Sequence, residues 1–114
     1  MLALKYRLKK KKDFERIYRS GKIIKQDFLL FRILENELKN PRIGIVISKK
    51  TLSKATARNL VKRRIIEAVR HFLPQISRNV DIIITTYKGT SKDKSLEKIK
   101  TLIEQAFIKA EIII

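Results

Sequence analysis

The stretch that decides the fold is ARNLVKRRIIEAVR, residues 57–70, the centre of a helix predicted over about 55–73 and ended by Pro74. Apolar residues recur on one side of this helix, and cationic residues occupy most of the remainder. The flanking segments RIGIVIS, at 42–48, and VDIIITTY, at 80–87, are rich in β-branched residues and predict strands. Strand, long helix and strand in this order indicate a βαβ crossover with parallel strands, which is usually right-handed.

The N-terminal part predicts a short helix and one or two strands. Apolar residues recur at helical spacing within 10–20, and Gly21 stands where a left-handed helix stop is expected. Residues 23–34 are rich in Ile, Leu and Phe and predict a strand, or two strands if the segment breaks. The polar link that follows ends in Asn-Pro, so this strand and 42–48 are expected to pair antiparallel.

The C-terminal part predicts one more helix, which Ser95 is expected to cap. The fold class is therefore α+β: a single-domain α-β sandwich over residues 1–114, with the order α-β-β(-β)-α-β-α and a βαβ crossover in its sheet. The apolar stripe of the last helix consists of Leu96, Ile99, Leu102, Ile103, Ala106, Phe107 and Ala110.

The charge of the chain indicates its class of partner. There are 28 Lys and Arg against 11 Asp and Glu, a formal net charge of +17, which repels itself unless a polyanion neutralises it. Nucleic acid is the leading partner. A membrane surface is disfavoured, because no apolar run approaches the roughly 20 residues of a span and the isoleucines at 112–114 are too few to anchor anything. With no cysteine and no signal-peptide pattern, the protein is expected in the cytoplasm.

The sequence offers no catalytic constellation. Hydrolysis of a phosphodiester by side chains needs clustered carboxylates that hold metal ions, or a pair of histidines. The carboxylates stand apart among basic neighbours, and His71 is the only histidine. We therefore expect the isolated chain to have no catalytic residue, no metal ligand and no bound cofactor.

Two kinds of residue are candidates for RNA binding. Cations crowd the loop at 49–54 and the first turns of the long helix, where Glu67 is the one nearby carboxylate, and helix N-terminal amides can meet the same phosphates. Phenylalanines and tyrosines at 14–31 could stack on unpaired bases, but each is equally well explained as ordinary core. Phe14 and Phe28 are the most readily explained as buried.

Three blocks in order resemble the protein subunit of bacterial ribonuclease P. They are RLKKKKDFERIYRSG at 7–21, GIVISKK at 44–50, and the helix at 57–70, which is similar to the family's Arg-Asn-Arg signature helix. The third signature position is Leu60 rather than Arg, and Arg64 is expected to replace part of the missing charge. The loop between the second and third blocks lacks the family's usual Gly and is slightly longer.

The resemblance implies a left-handed crossover, contrary to the general rule, and a function in which an RNA is the catalyst. That RNA, using Mg²⁺, removes the 5′ leader from precursor tRNA, while the protein binds the catalytic RNA and the leader, with no DNA or membrane partner. The implied contacts with the catalytic RNA are Ser48, Lys49, Lys50, Arg58, Asn59, Lys62 and Arg63, and the implied leader cleft consists of Lys10, Phe14, Tyr18 and Phe31.

Two other classes stay open on charge alone. A ribosomal or other structural RNA-binding protein would sediment with ribosomal subunits and would be indifferent to a tRNA leader. A duplex-DNA binder would use the long helix for recognition, but no short helix-turn-helix spacing precedes that helix.

Overall fold

A computed structural model describes residues 2–113. This part of the chain follows the order α-β-β-β-α-β-α, which confirms the predicted α+β fold class. Short 3₁₀ turns at Leu4–Tyr6 and Leu73–Gln75 precede α1 and follow α2. The helices are α1 (Lys11–Ser20), α2 (Ala55–Phe72) and α3 (Leu96–Lys109), and the strands are β1 (Lys22–Gln26), β2 (Leu29–Glu35), β3 (Arg42–Val46) and β4 (Val80–Thr86).

The four strands form one mixed sheet in the order β1-β2-β4-β3. β3 and β4 are parallel and α2 connects them, as the sequence predicts, while the left-handed sense of the crossover stays a prediction. The expected antiparallel pairing of the segments 23–34 and 42–48 is wrong, because β4 lies between β2 and β3. Apart from the half-buried Thr85, β4 is buried on both faces around its apolar centre Ile82–Ile84, as is typical of an interior strand that is paired on both edges and covered on both faces.

The segment 23–34 breaks into two strands at Asp27, whose φ of 47° lies in the left-handed region. β1 and β2 consequently form a hairpin in which Lys22 pairs with Ile33. Gly21 is not the left-handed stop that the sequence suggests, because its φ is −73° and the chain continues directly into β1. A Cβ at Gly21 would lie 2.6 Å from the Ile17 carbonyl oxygen, so close approach, rather than a positive φ, favours glycine there.

The main core lies between one face of the sheet and the helices α2 and α3. Three phenylalanine rings meet there. The centroid of the Phe107 ring lies 6.1 Å from that of Phe31 and 6.2 Å from that of Phe72. Ile112 and Ile113 are also buried in this core, whereas Ile114 lies outside the described residues. The predicted apolar face of α2 is confirmed by the burial of Val61, Ile65, Ala68, Val69 and Phe72.

The opposite face of the sheet is partly covered by α1. Ile17 of α1 packs with Leu8 and with Ile83 of β4 in a second, smaller cluster. At the other end of the chain, Ser95 caps α3 as predicted, since its side chain accepts a hydrogen bond of 3.2 Å from the Lys98 N–H. None of the helices within residues 2–113 combines the length and apolar character needed to cross a bilayer.

Candidate RNA interface

The residues predicted to contact the catalytic RNA lie along one continuous segment, from the end of β3 through the connecting loop to the first turns of α2. We call this segment, residues 48–63, the basic segment. None of its lysines or arginines is ion-paired with a described carboxylate. The N-cap residue of α2, Lys54, makes no side-chain capping bond. The exposed members of the predicted set are Lys49, Lys50, Asn59, Lys62 and Arg63.

Ser48 and Arg58 form hydrogen bonds that hold the loop between β3 and α2 in place. The Ser48 N–H donates to Thr86 Oγ1 over 2.9 Å, and Ser48 Oγ accepts from the Lys50 N–H over 3.1 Å. Arg58 Nη1 donates to the carbonyl oxygens of residues 52 and 53, over 2.9 and 2.7 Å. Both side chains are half-buried. Ser48 and Arg58 therefore fix the loop that presents the exposed lysines, a role that the sequence did not indicate.

Leu60, which departs from the family signature, and Arg64, which was expected to replace part of the missing charge, have different surroundings. Leu60 is 37% exposed, an apolar side chain on a basic surface. Arg64 is half-buried, and its Nη1 donates to the Lys94 carbonyl oxygen over 2.8 Å. Arg64 thus anchors the segment before α3 and does not simply replace the cation missing at position 60.

Phe14 and Tyr18 project from α1 onto the sheet. The Phe14 ring packs against Gly44 of β3 so closely that a Cβ there would lie 2.8 Å from Phe14 Cζ. The Tyr18 ring centroid lies 6.5 Å from that of Phe14, and the Arg32 guanidinium carbon lies 4.9 Å from the Tyr18 centroid. Tyr18 is 47% exposed. Two aromatic rings and a cation thus line the junction between helix and sheet.

Beyond α1, a row of four residues, one from each strand, lies on the side of the sheet that α1 covers. Pairing of the strands places Lys25, Leu30, Thr85 and Val46 in this row. We call the surface formed by Phe14, Tyr18, Arg32 and this row the α1 face. Within residues 2–113, Arg32 Nε and Thr85 Oγ1 are buried and have no hydrogen-bond partner. Because buried polar atoms are normally paired, these two atoms could be satisfied by a polar ligand on the α1 face.

Phe31 does not belong to the α1 face, so its predicted place in the leader cleft is wrong. Its side chain is 0% exposed and contacts Phe107 on the opposite side of the sheet. Successive residues of a strand alternate between faces, and here Phe31 takes the core side while Arg32 takes the α1 face. Phe28 is buried as well. The alternation in β2 was the signal that could have identified Arg32.

Lys10 is exposed and is the N-cap residue of α1, one turn before Phe14. It lines a cavity of about 560 Å³ together with Glu35 and Arg42, away from Tyr18. Its contact with a leader stays a prediction.

The basic segment and the α1 face meet at the outer edge of the sheet. A cavity of about 300 Å³ at the β3 edge is lined by Phe14 and Gly44 on one side and by Lys62 and Ile66 of α2 on the other. Residues 7 and 8 pair with Ile43 along this edge and also line the cavity, so the aromatic and basic surfaces adjoin at the β3 edge.

A buried ionic network holds α1 on the sheet. Asp81, in the middle of the sheet, accepts two hydrogen bonds from Arg42 (2.9 and 2.8 Å), one from Arg16 (2.6 Å) and one from Asn36 (2.8 Å). Arg42 also donates to Asp13 of α1 over 3.1 Å. The hydrogen bonds and charge of Asp81, with a smaller effect of Asp13, outweigh burial and raise the pKa of Arg42 above its ordinary value. The orientation of α1 depends on this network.

The described carboxylates do not provide a set of metal ligands. Within residues 2–113, no three His, Asp or Glu side chains lie close enough together to hold an ion. Asp13 and Asp81 are ion-paired with arginines, and Asp27 accepts backbone N–H groups.

An α+β domain that carries unpaired cations on one helix beside an aromatic-lined sheet face has the features of an RNA-binding protein. Residues 2–111 match the family model described as Ribonuclease P. The chain belongs to the ribonuclease P protein family, and the resemblance read from the three sequence blocks is confirmed.

Individual relatives agree with this assignment. The ribonuclease P protein component of Synechocystis sp. is 36% identical over 106 residues, which cover 90% of this chain and 86% of the relative. The ribonuclease P protein component of Legionella pneumophila (strain Corby) is 42% identical over 91 residues, which cover 79% of this chain and 76% of the relative. The solved structure of the Staphylococcus aureus RNase P protein superposes with a TM-score of 0.83 at 31% identity and covers 96% of this chain and 98% of that chain. RNA binding in tRNA 5′ processing is therefore the function of this family member.

Proposed function

We propose that this chain is the protein subunit of a ribonuclease P in which RNA performs the cleavage. The basic segment binds the catalytic RNA, and the α1 face binds the 5′ leader of precursor tRNA. The observation that carries this proposal is the cavity at the β3 edge, which is lined both by Phe14 of the α1 face and by Lys62 of the basic segment. The cytoplasmic location stays a prediction.

The basic segment suits a folded RNA, whose surface is a dense array of phosphates. Its exposed lysines and arginine are unpaired, so they lose no internal partner when they contact phosphate. The uncapped first turn of α2 adds N–H groups and the positive end of the helix dipole. Arg58 keeps the loop in place beside that turn.

The α1 face suits unpaired nucleotides. Aromatic rings stack on any base, so Phe14 and Tyr18 can accept leaders of different sequence. Arg32 Nε and Thr85 Oγ1 can bond the ribose or phosphate of the same strand. Since only the precursor carries a leader, this contact favours precursor over mature tRNA.

The magnesium used in the reaction is assigned to the RNA. The described carboxylates do not gather into a set that could hold an ion, and Asp13, Asp27 and Asp81 are already held by arginines or by backbone N–H groups. The protein's contribution is to bind and orient the two RNAs, without a catalytic residue of its own.

Reconstitution tests the proposal directly. Adding the protein to its cognate catalytic RNA at low magnesium is expected to restore cleavage of precursor tRNA at the 5′ end of the mature sequence. Failure at every magnesium concentration would overturn the assignment. Sedimentation with ribosomal subunits, together with indifference to the leader, would instead favour a ribosomal protein.

Tyr18→Ala is expected to weaken binding of precursor tRNA to the assembled complex by about tenfold, because one stacked base contributes about 1–3 kcal/mol. Binding of leaderless tRNA should not change. The matched control is Ile108→Ala, which removes a half-exposed apolar side chain from α3, on the other side of the sheet. Equal losses for the two substrates would refute the assignment of the α1 face.

Arg58→Lys is expected to weaken binding of the catalytic RNA almost as much as Arg58→Ala, by about tenfold. Hydrogen bonds from a charged group contribute about 1.5–3 kcal/mol, and a lysine lacks the planar guanidinium that directs Nη1 of Arg58 toward the carbonyl oxygens of residues 52 and 53. Lys62→Arg, which keeps an exposed charge, should bind like wild type. Full binding by Arg58→Lys would show that charge alone matters at this position.

A further inference from the structure

A second basic cleft lies beside the basic segment, on a part of the chain to which the family signature assigns no role. It has a volume of about 340 Å³ and opens between the β3–α2 loop and the segment 87–95 that follows β4. Its lining includes Lys50, Lys88 and Lys94, and none of the described carboxylates lines it. Of these three lysines, only Lys50 belongs to the predicted docking set.

The segment 87–95, which forms one wall of the cleft, is hydrogen-bonded to the β1–β2 turn. The Asp27 carboxylate accepts hydrogen bonds from the backbone N–H groups of Thr90 (2.7 Å) and Ser91 (3.1 Å). Burial opposes ionisation of Asp27, but these bonds outweigh it and hold the pKa of the carboxyl below its ordinary value. A Cβ at Gly89 would lie 2.5 Å from Asp27 Oδ1 and 2.6 Å from the Phe28 nitrogen, so glycine permits this close approach.

The lysines of the cleft are held on ordered backbone. Arg64 of α2 donates to the Lys94 carbonyl oxygen, and the Lys94 ammonium lies 4.9 Å from the centroid of the buried Phe28 ring. On the facing loop, the Lys50 N–H donates to Ser48 Oγ. Because the backbone on both sides is fixed before binding, less conformational entropy is lost when a ligand enters.

We infer that this cleft binds phosphate groups of an RNA backbone and extends the docking surface from Lys50 to Lys88 and Lys94. Lysine ammonium groups bind phosphate as point charges, and here no lining carboxylate neutralises them. The cleft shares Lys50 with the basic segment, so one strand can contact both. The inference rests on the proposed function, because it takes the partner to be RNA. The phosphates are those of the catalytic RNA, because the cleft shares Lys50 with the basic segment, which binds that RNA.

The test replaces both new lysines while keeping most of each aliphatic stem, as Lys88→Gln/Lys94→Gln. The matched control is Lys39→Gln/Lys109→Gln, which removes the same charge from exposed positions outside the cleft. In the first arm the probe is the cognate catalytic RNA, and in the second it is precursor tRNA added to the assembled complex. The cleft variant is expected to bind the catalytic RNA at least about tenfold more weakly than the control does in the first arm, and to match the control in the second.

A loss confined to the second arm would assign the phosphates to precursor tRNA and would overturn the inference. If the cleft variant and the control bind alike in both arms, the inference is overturned. If wild type binds neither RNA, the proposed function fails instead. A variant that unfolds is replaced by chemical acetylation of the wild-type protein: Lys50, Lys88 and Lys94 should be protected in the complex, and Lys39 and Lys109 should stay reactive. Unprotected Lys88 and Lys94 would also overturn the inference.

Discussion

Replacing Asp81 by asparagine is expected to lower the free energy of unfolding by about 3 kcal/mol. Removing one partner of a buried ion pair costs about 3–5 kcal/mol, since it leaves the other charge uncompensated. Arg42 and Arg16 retain some solvent exposure, which places the expected value at the lower end of that range. The asparagine amide would also direct N–H donors toward guanidinium groups that themselves donate.

Denaturant unfolding followed by circular dichroism measures this loss. The control is Glu104→Gln, which removes one negative charge from an exposed position of α3 and should change stability by less than about 0.5 kcal/mol. Equal midpoints for Asp81→Asn and wild type would show that the network does not stabilise the fold.

The same substitution connects stability to function. Asp81 holds Arg16 directly and Asp13 through Arg42, and both of these residues lie on α1. Under conditions where the variant is folded, a loosened α1 should reduce discrimination between precursor and leaderless tRNA. Affinity for the catalytic RNA should change less, because the basic segment is not part of this network.

The helices could be predicted from the sequence because each carries a periodic apolar stripe and a local boundary signal. Pro74 and Ser95 fixed the end of α2 and the start of α3 to within a residue or so. Strand neighbours could not be predicted in the same way, since pairing depends on contacts between distant segments. β4 lies between β2 and β3 and is buried on both faces, and its β-branched run around Ile82–Ile84 was the available signal for that position.

The exposure of Lys62 and Arg63 could be predicted from their charge, while their contact with RNA stays a prediction. The position of a side chain was not predictable where it depends on partners from other segments. Phe31 and Arg32 are neighbours in sequence, and only the orientation of β2 determines which one reaches the α1 face. Arg58 carries the same charge as Arg63, yet its bonds to two loop carbonyl oxygens require a loop conformation that no sequence pattern encodes.

The second large expected effect is the fall in affinity for the catalytic RNA as the salt concentration rises. Under the two proposals above, six lysines and arginines contact phosphates: Lys49, Lys50, Lys62, Arg63, Lys88 and Lys94. With a slope of about −0.9 per phosphate in a plot of log affinity against log salt, about six contacts give a slope near −5. Affinity for the cognate catalytic RNA should therefore fall about a thousandfold between roughly 50 and 200 mM monovalent salt.

Lys62→Gln/Arg63→Gln is expected to reduce the magnitude of that slope by about 2, because two phosphate contacts are lost. Lys39→Gln/Lys109→Gln changes the net charge equally and should leave the slope near that of wild type. Filter binding or fluorescence titration at several salt concentrations measures all three proteins. A slope that follows net charge alone, equal in both variants, would mean that the whole +17 chain attracts RNA without a defined surface. A slope that changes only when α2 is altered would locate the docking surface on that helix, since long-range attraction cannot distinguish which two cations were removed.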